Sequence, residues 1–186
     1  MEVYFIRHGH AMHNQGFEDM GDAAYFSPEY MYSTLTEKGN LQTTSITLPD
    51  VNIVLCSPLI RCIQTARNIV GHDKMLYLHD GLLETQGDHL CNIREDTHVI
   101  REKYSNVDVT CLKDTYVFQS ETDEMLKLRA EETLTSILRR AWLQNVTRLA
   151  IVTHHDWLKA VLGQSLRNAQ VYRVYYSAEE IVKCID

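Results

Sequence analysis

The sequence predicts an α/β domain, a three-layer sandwich whose mostly parallel central sheet carries helices on both faces. Three observations predict it. Short apolar runs rich in β-branched residues alternate with longer amphipathic stretches, the pattern of strands joined by helical crossovers. No repeat, low-complexity tract or Pro/Gly-rich linker divides the 186 residues, a length that suits a single domain over 1–186. The composition, 45% hydrophobic and 23% charged, is that of a globular chain.

In chain order, Glu2–Ile6 reads as a strand rich in Val, Tyr, Phe and Ile. Thr36–Leu48 reads as a short helix. Val51–Leu55 reads as a strand buried on both faces. Ser57-Pro58 supplies an N-cap followed by a proline at the first helical position. Leu59, Ile63, Ala66 and Ile69 form the apolar face of that helix, and Gly71 ends it. Met75–Leu78 is a third strand. Residues 86–119 carry no clear period and read as a cap-like loop region that shapes a pocket entrance. Asp123–Leu143 is a long helix with Leu126, Ala130, Leu134, Ile137, Leu138 and Ala141 on its core face. Arg148–Thr153 is a fourth strand and Asp156–Leu162 a helix. Gln170–Tyr176 and Ile181–Cys184 read as a terminal hairpin around Ser177-Ala178-Glu179.

A net charge of -7 argues against a general nucleic-acid binder, which needs a basic face. It leaves room for an anionic ligand held by a few converging Arg and His side chains. No apolar run approaches the ~20 residues of a membrane span, and the first residues lack the apolar region of a signal peptide. The five cysteines (Cys56, Cys62, Cys91, Cys111 and Cys184) are odd in number and scattered, without a CxxC pair. That usage fits a reducing compartment, so the expected location is cytoplasmic.

In parallel sheets, ligands bind beyond the carboxyl ends of the strands. The first strand is followed by Arg7-His8-Gly9 and the second by Ser57-Pro58-Leu59-Ile60-Arg61. The third leads into a loop with Glu84, and the fourth into His154-His155. Two arginines, two histidines and a carboxyl group on one rim suit phosphoryl transfer. The guanidiniums bind phosphate oxygens and neutralise developing charge. A neutral imidazole attacks phosphorus; a second, protonated, donates to a phosphate oxygen. The carboxylic acid protonates the leaving alkoxide and then activates water. Gly9 is expected to let the backbone approach the phosphate. His8, His10, His13, His154 and His155 match no recognised zinc spacing, and the arginines would repel a cation. No metal and no cofactor are expected.

Arg7-His8-Gly9 after an N-terminal strand resembles the signature of the histidine phosphatase (phosphoglycerate-mutase-like) superfamily. Further blocks follow in that family's order: His13-Asn14, Leu35-Thr36-Glu37-Lys38-Gly39-Asn40-Leu41-Gln42, Ser57 to Ala66, and Val152-Thr153-His154. Leu83 to Arg94, with Glu84, Gly87, His89, Cys91 and Arg94, is similar to a segment of the fungal and plant phosphoglycerate-mutase-like branch. The resemblance implies that His8 is the phosphorylated nucleophile and Glu84 the proton donor. Arg7, Arg61 and His154 would complete the phosphate pocket, aided by Asn14 and the backbone N–H of His155. His89, Cys91 and Arg94 would lie at the substrate mouth.

Three departures touch substrate selection. Leu83 stands where an arginine precedes the acid, Asn92 where an aspartate is usual, and His155 where Ser or Gly is commoner. The expected activity is metal-independent hydrolysis of a small phosphorylated metabolite, with no nucleic-acid or membrane partner and the oligomeric state open. Two alternatives stand beside it. One is a phosphoglycerate-type mutase, which needs further basic groups for a substrate carboxylate. The other is a catalytically silent phospho-ligand-binding protein of the same fold.

Overall fold

The structure, a computed structural model, describes residues 1–116 and 120–183. Six strands form one sheet: β1 (Glu2–Arg7), β2 (Ile53–Cys56), β3 (Leu76–His79), β4 (Val107–Cys111), β5 (Arg148–Thr153) and β6 (Val171–Tyr175). Their order is β4-β3-β2-β5-β1-β6. All pairings are parallel except that of β6, which runs antiparallel to β1 at the edge. Seven α-helices accompany them: α1 (Met12–Met20), α2 (Glu37–Thr44), α3 (Ile60–Val70), α4 (Thr97–Lys103), α5 (Asp123–Leu143), α6 (His155–Leu162) and α7 (Ala178–Lys183).

Strand alternation assigns the core to two layers. Val3 and Phe5 of β1, with Leu149 and Ile151 of β5, pack against Leu126, Ala130, Ile137 and Leu138 of α5 and Trp157 of α6. Tyr4 and Ile6 of β1, with Val54, Cys56, Leu76, Leu78 and Val152, face Cys62, Ile63 and Ala66 of α3 and Ile100 of α4. The expected three-layer sandwich is therefore observed.

Helix α5 has the bounds its sequence predicts. Thr122 caps it, its hydroxyl accepting from the N–H of Met125 at 3.3 Å. Three expectations change. Helix α3 starts at Ile60 rather than after Ser57, because the Ser57 hydroxyl is drawn to the His154 ring, 2.7 Å away. The terminal hairpin does not form: β6 pairs with β1, and residues 178–183 are helical. Ser177 and Glu180 make a reciprocal cap there. The Ser177 hydroxyl accepts from the Glu180 N–H at 3.2 Å, and the Glu180 carboxylate accepts from the Ser177 N–H at 2.8 Å. This S-x-x-E box is a helix-start signal, and it overrides the apolar run behind it. Cys184 lies outside the described residues. Finally, 86–119 is not loop throughout, since it supplies α4 and the sheet-edge strand β4; within it, residues 117–119 are not among those described.

Candidate active site

The order β2-β5-β1 sets three strand ends side by side, and each delivers one functional segment. His8 follows Arg7, the last residue of β1, and its N–H donates to the carbonyl of Thr153, the last residue of β5, at 3.0 Å. His154 stands between β5 and α6 at the N-cap position. Arg61 lies in the first turn of α3, after β2. Glu84 follows a 3-10 turn, Asp80–Leu82, that continues β3. The rings of His8 and His154 come within 5.2 Å, and those of His8 and His13 within 5.6 Å.

A cleft of about 290 Å³ opens here. Of the residues singled out from sequence, Arg7, His8, Asn14, Arg61, Glu84, His89, Cys91 and His155 line it. His154 is wholly buried beside His8. His13, Tyr25, Asn92 and Asp156 line it as well. Asn92 is one of the departures that the resemblance ties to substrate selection, and His13 belongs to the His13-Asn14 block, though no role was assigned to its side chain. Tyr25 and Asp156 carry no such signal, since folding alone brings them to the site.

Both arginines are cations without acids. Arg61 is 1% exposed, and its guanidinium donates to the Cys91 carbonyl at 2.7 Å and to Asn92 Oδ1 at 3.0 Å. Arg7 donates to the Leu166 carbonyl at 2.8 Å. Their Nε atoms are buried without a hydrogen-bond partner. Among the described residues neither arginine makes an ion pair with a carboxylate, although other arginines of the chain do. A buried guanidinium without an ion-pair partner is costly; Arg61 is in that position, while the half-buried Arg7 also feels the charges of Glu84 and Asp156.

The His8 ring is oriented by its own loop. Nδ1 lies 2.7 Å from the Gly9 carbonyl. A carbonyl only accepts, so Nδ1 carries the proton and Nε2 keeps its lone pair. Burial, then the Arg61 and Arg7 charges, hold His8 well below the ordinary histidine pKa, so it is neutral. The same causes, burial first and then Arg61, hold His13 and His154 low. His154 is thus neutral rather than the protonated donor expected from sequence. A phosphate dianion would be the compensating charge.

Glu84 accepts from the backbone N–H groups of Thr85 (3.1 Å), Asp156 (3.2 Å) and Trp157 (3.3 Å). Burial and the nearby Asp156 charge raise its pKa above the ordinary carboxylate value, while the Asp156 and Thr85 N–H groups and Arg61 oppose them. The result is a buried carboxyl group with a raised pKa at the cleft, the property a proton donor requires.

Two expected residues do different work. Gly9 faces away from the cleft: a Cβ there would meet Thr43 Cγ2 at 2.7 Å and the Gly39 carbonyl oxygen at 2.8 Å. Its smallness admits α2 against the Arg7-His8-Gly9 loop, not a phosphate. Arg94 lies outside the cleft, 2% exposed. Its guanidinium is committed to Asp80 (2.7 and 3.1 Å) and to the carbonyls of Glu95 (2.8 Å) and Lys113 (2.6 Å). Asp80 is the acid that captures it. Asn14 combines two positions. Its Oδ1 caps α1 by accepting from the Ala11 N–H at 3.0 Å, while the residue lines the cleft. Among the described residues, no group of three or more His, Cys, Asp or Glu side chains is disposed to hold a metal ion.

A family model described as "Histidine phosphatase superfamily (branch 1)" matches residues 3–176. A "Phosphoglycerate mutase-like protein" of Arabidopsis thaliana is 22% identical over 205 aligned residues, covering 87% of this chain and 73% of the relative. The fold is similar to that of the ecdysone phosphate phosphatase of Bombyx mori, at a TM-score of 0.66 and 15% identity over 92% of this chain and 88% of the other. It is similar as well to the alpha-ribazole phosphatase of Shigella flexneri, at a TM-score of 0.64 and 19% identity over 96% and 92%.

Proposed function

Since the chain belongs to branch 1 of the histidine phosphatase superfamily, we propose that it hydrolyses a small phosphomonoester through a phosphohistidine at His8. One observation carries this reading: a neutral imidazole with its Nε2 lone pair available lies in a cleft lined by the buried Arg61 and the half-buried Arg7, neither of which makes an ion pair with a carboxylate among the described residues. Such a cleft favours a dianion and presents a nucleophile to it.

Arg7 and Arg61 take the phosphoryl oxygens, and Nε2 of His8 forms the bond to phosphorus as the ester P–O bond breaks. Glu84 gives its proton to the departing alkoxide. Water then attacks the phosphohistidine, Glu84 takes a proton from it, and the P–N bond breaks to release inorganic phosphate. Glu84 ends carboxyl-protonated and His8 neutral, as they began. His154 and Asn14 stand as further donors to the bound group, with the His155 N–H at the start of α6.

Hydrolysis is favoured over mutase chemistry by the lining. Among the described residues Arg7 and Arg61 are the Lys or Arg residues of the lining, so no further lysine or arginine there is at hand to grip a substrate carboxylate. The free, mostly buried Cys56, Cys62, Cys91 and Cys111 support a reducing, cytoplasmic setting. Among the described residues no helix is long and apolar enough to cross a membrane.

Phosphate release from p-nitrophenyl phosphate, with EDTA present, tests the reading. The wild type is expected to turn over and His8→Ala to release nothing above background. Equal rates for the two proteins, or loss of wild-type activity in EDTA, would overturn it.

A further inference from the structure

Beyond the phosphoryl pocket, the mouth of the cleft is built from rings. Tyr25 and His89 both line the cleft, their centroids 5.0 Å apart. Phe17 stacks on Tyr25 at 5.4 Å with 14° between the planes, and Phe26 meets His89 edge-on at 5.2 Å. Phe17 and Phe26 are nonetheless 44% and 51% exposed. Rings that line a polar cleft, here Tyr25 and His89 backed by Phe17 and Phe26, are the kind of surface that receives a ligand.

Charge narrows what that ligand is. The two arginines are opposed to the phosphoryl group, and the other groups that can carry charge there, apart from histidines, are the acids Glu84 and Asp156. A substrate body with a carboxylate or a second phosphate would meet acids and no spare cation. Nor is the Asn92 amide free to take a sugar's hydroxyls. Asn92 accepts from Arg61 through Oδ1 and donates to the Thr85 carbonyl at 2.9 Å through Nδ2, and Asn14 Oδ1 already serves Ala11. The ring platform is also held in register with the phosphoryl pocket. His89 directly precedes the 3-10 turn Leu90–Asn92, whose Cys91 carbonyl and Asn92 side chain grip Arg61.

We propose that the substrate is a phosphomonoester whose alcohol carries a flat, uncharged aromatic or heteroaromatic ring, seated against Tyr25 and His89, with Phe26 supporting His89. This rests on the reading that the cleft binds a phosphoryl group, and it names the class of body attached to it. Offset and edge-on ring contacts of this kind strengthen binding by about tenfold beyond simple burial.

Calorimetric titration with three non-hydrolysable probes tests it without turnover: methylphosphonate, benzylphosphonate and 3-phosphonopropionate. Benzylphosphonate is expected to bind at least about tenfold tighter than methylphosphonate, and 3-phosphonopropionate no tighter than methylphosphonate. In His89→Ala and in Phe26→Ala the benzyl-to-methyl ratio is expected to fall several-fold. Using a ratio cancels any general loss of affinity, and the second variant covers misfolding of the first. A wild-type ratio near one, a ratio unmoved in both variants, or tightest binding of the carboxylated probe would overturn the proposal. Failure of the phosphatase reading shows separately, as p-nitrophenyl phosphate release that does not depend on His8.

Discussion

At the scale of single residues, what distinguishes the site is the lack of an acid beside Arg61. Asn92 stands where the resemblance leads one to expect aspartate, and its neutral amide oxygen holds the guanidinium at 3.0 Å without cancelling its charge. Asn92→Asp is therefore expected to create a buried ion pair and to weaken phosphate affinity by roughly tenfold or more. The inhibition constant of inorganic phosphate measures this, and unchanged inhibition would mean that the Arg61 charge is not the attraction. Glu84 gives a second residue-scale prediction. Glu84→Gln should slow alkyl phosphates by roughly 10²–10⁴-fold but aryl phosphates far less, because a phenolate leaves without an acid. The activity of wild type on alkyl phosphates should decline as pH rises through the Glu84 pKa, which burial places above the ordinary carboxylate range. Equal damage to both ester types in the variant would remove Glu84 from the role.

At the scale of elements, the carboxyl group of Glu84 is only as well placed as the loop that bears it. Arg129 on α5 clamps that loop, donating to the carbonyls of Gly81 (3.0 Å), Leu83 (2.9 Å) and Glu84 (3.2 Å). The same guanidinium pairs with Glu121 at 2.7 and 2.8 Å, and Glu121 in turn accepts from the Gln86 N–H at 3.1 Å. Arg129→Met is expected to lower alkyl-phosphate turnover about tenfold more than aryl-phosphate turnover, and to cost about 1–3 kcal/mol of stability through unpaired carbonyls. A uniform loss across both esters would reduce Arg129 to a stability role. Elements were unevenly legible in the sequence. Helix α5 reads correctly because its apolar stripe runs unbroken from Leu126 to Ala141. Strand β4 was missed: Val107-Asp108-Val109-Thr110-Cys111 alternates apolar and polar residues as a strand should, but it is short and lies in the stretch read as a cap-like loop region. Its strand character comes from pairing with β3.

At the scale of the whole molecule, the site costs stability. His8, His13 and His154 are buried with their pKa values depressed, so the native state declines protons that the unfolded chain accepts below about pH 6.5. Stability should then be fully present above that pH and be lost as pH falls through the histidine range. Glu84 acts with the opposite sign, its raised pKa favouring the native state on the acid side. Each group contributes at most about 1.4 kcal/mol per pH unit, so three histidines outweigh one carboxyl. Urea midpoints of the ligand-free protein should fall between pH 7 and pH 5, and added phosphate should raise the midpoint at pH 7. A midpoint independent of pH across that interval would mean that the three imidazoles are not buried neutral.

Local sequence pattern was enough to read the layer architecture, the long helix and the segments that meet at the candidate site. Each of these rests on local pattern: apolar period, cap residues, and short motifs placed just after strands, whose parallel pairing brings their ends to one rim. Tertiary structure alone decided which side chains in those segments turn inward. Arg94 was indistinguishable from a pocket residue until Asp80, fourteen positions earlier, captured it. Gly9 gave way to the approach of α2 rather than to a ligand. Tyr25 reached the cleft because the chain between α1 and α2 folds back toward His89, with Phe26 of that segment against His89 and Phe17 of α1 stacked on Tyr25. Pattern encodes what neighbours along the chain do, whereas charge partners and ring contacts are made between residues whose proximity only the complete fold creates.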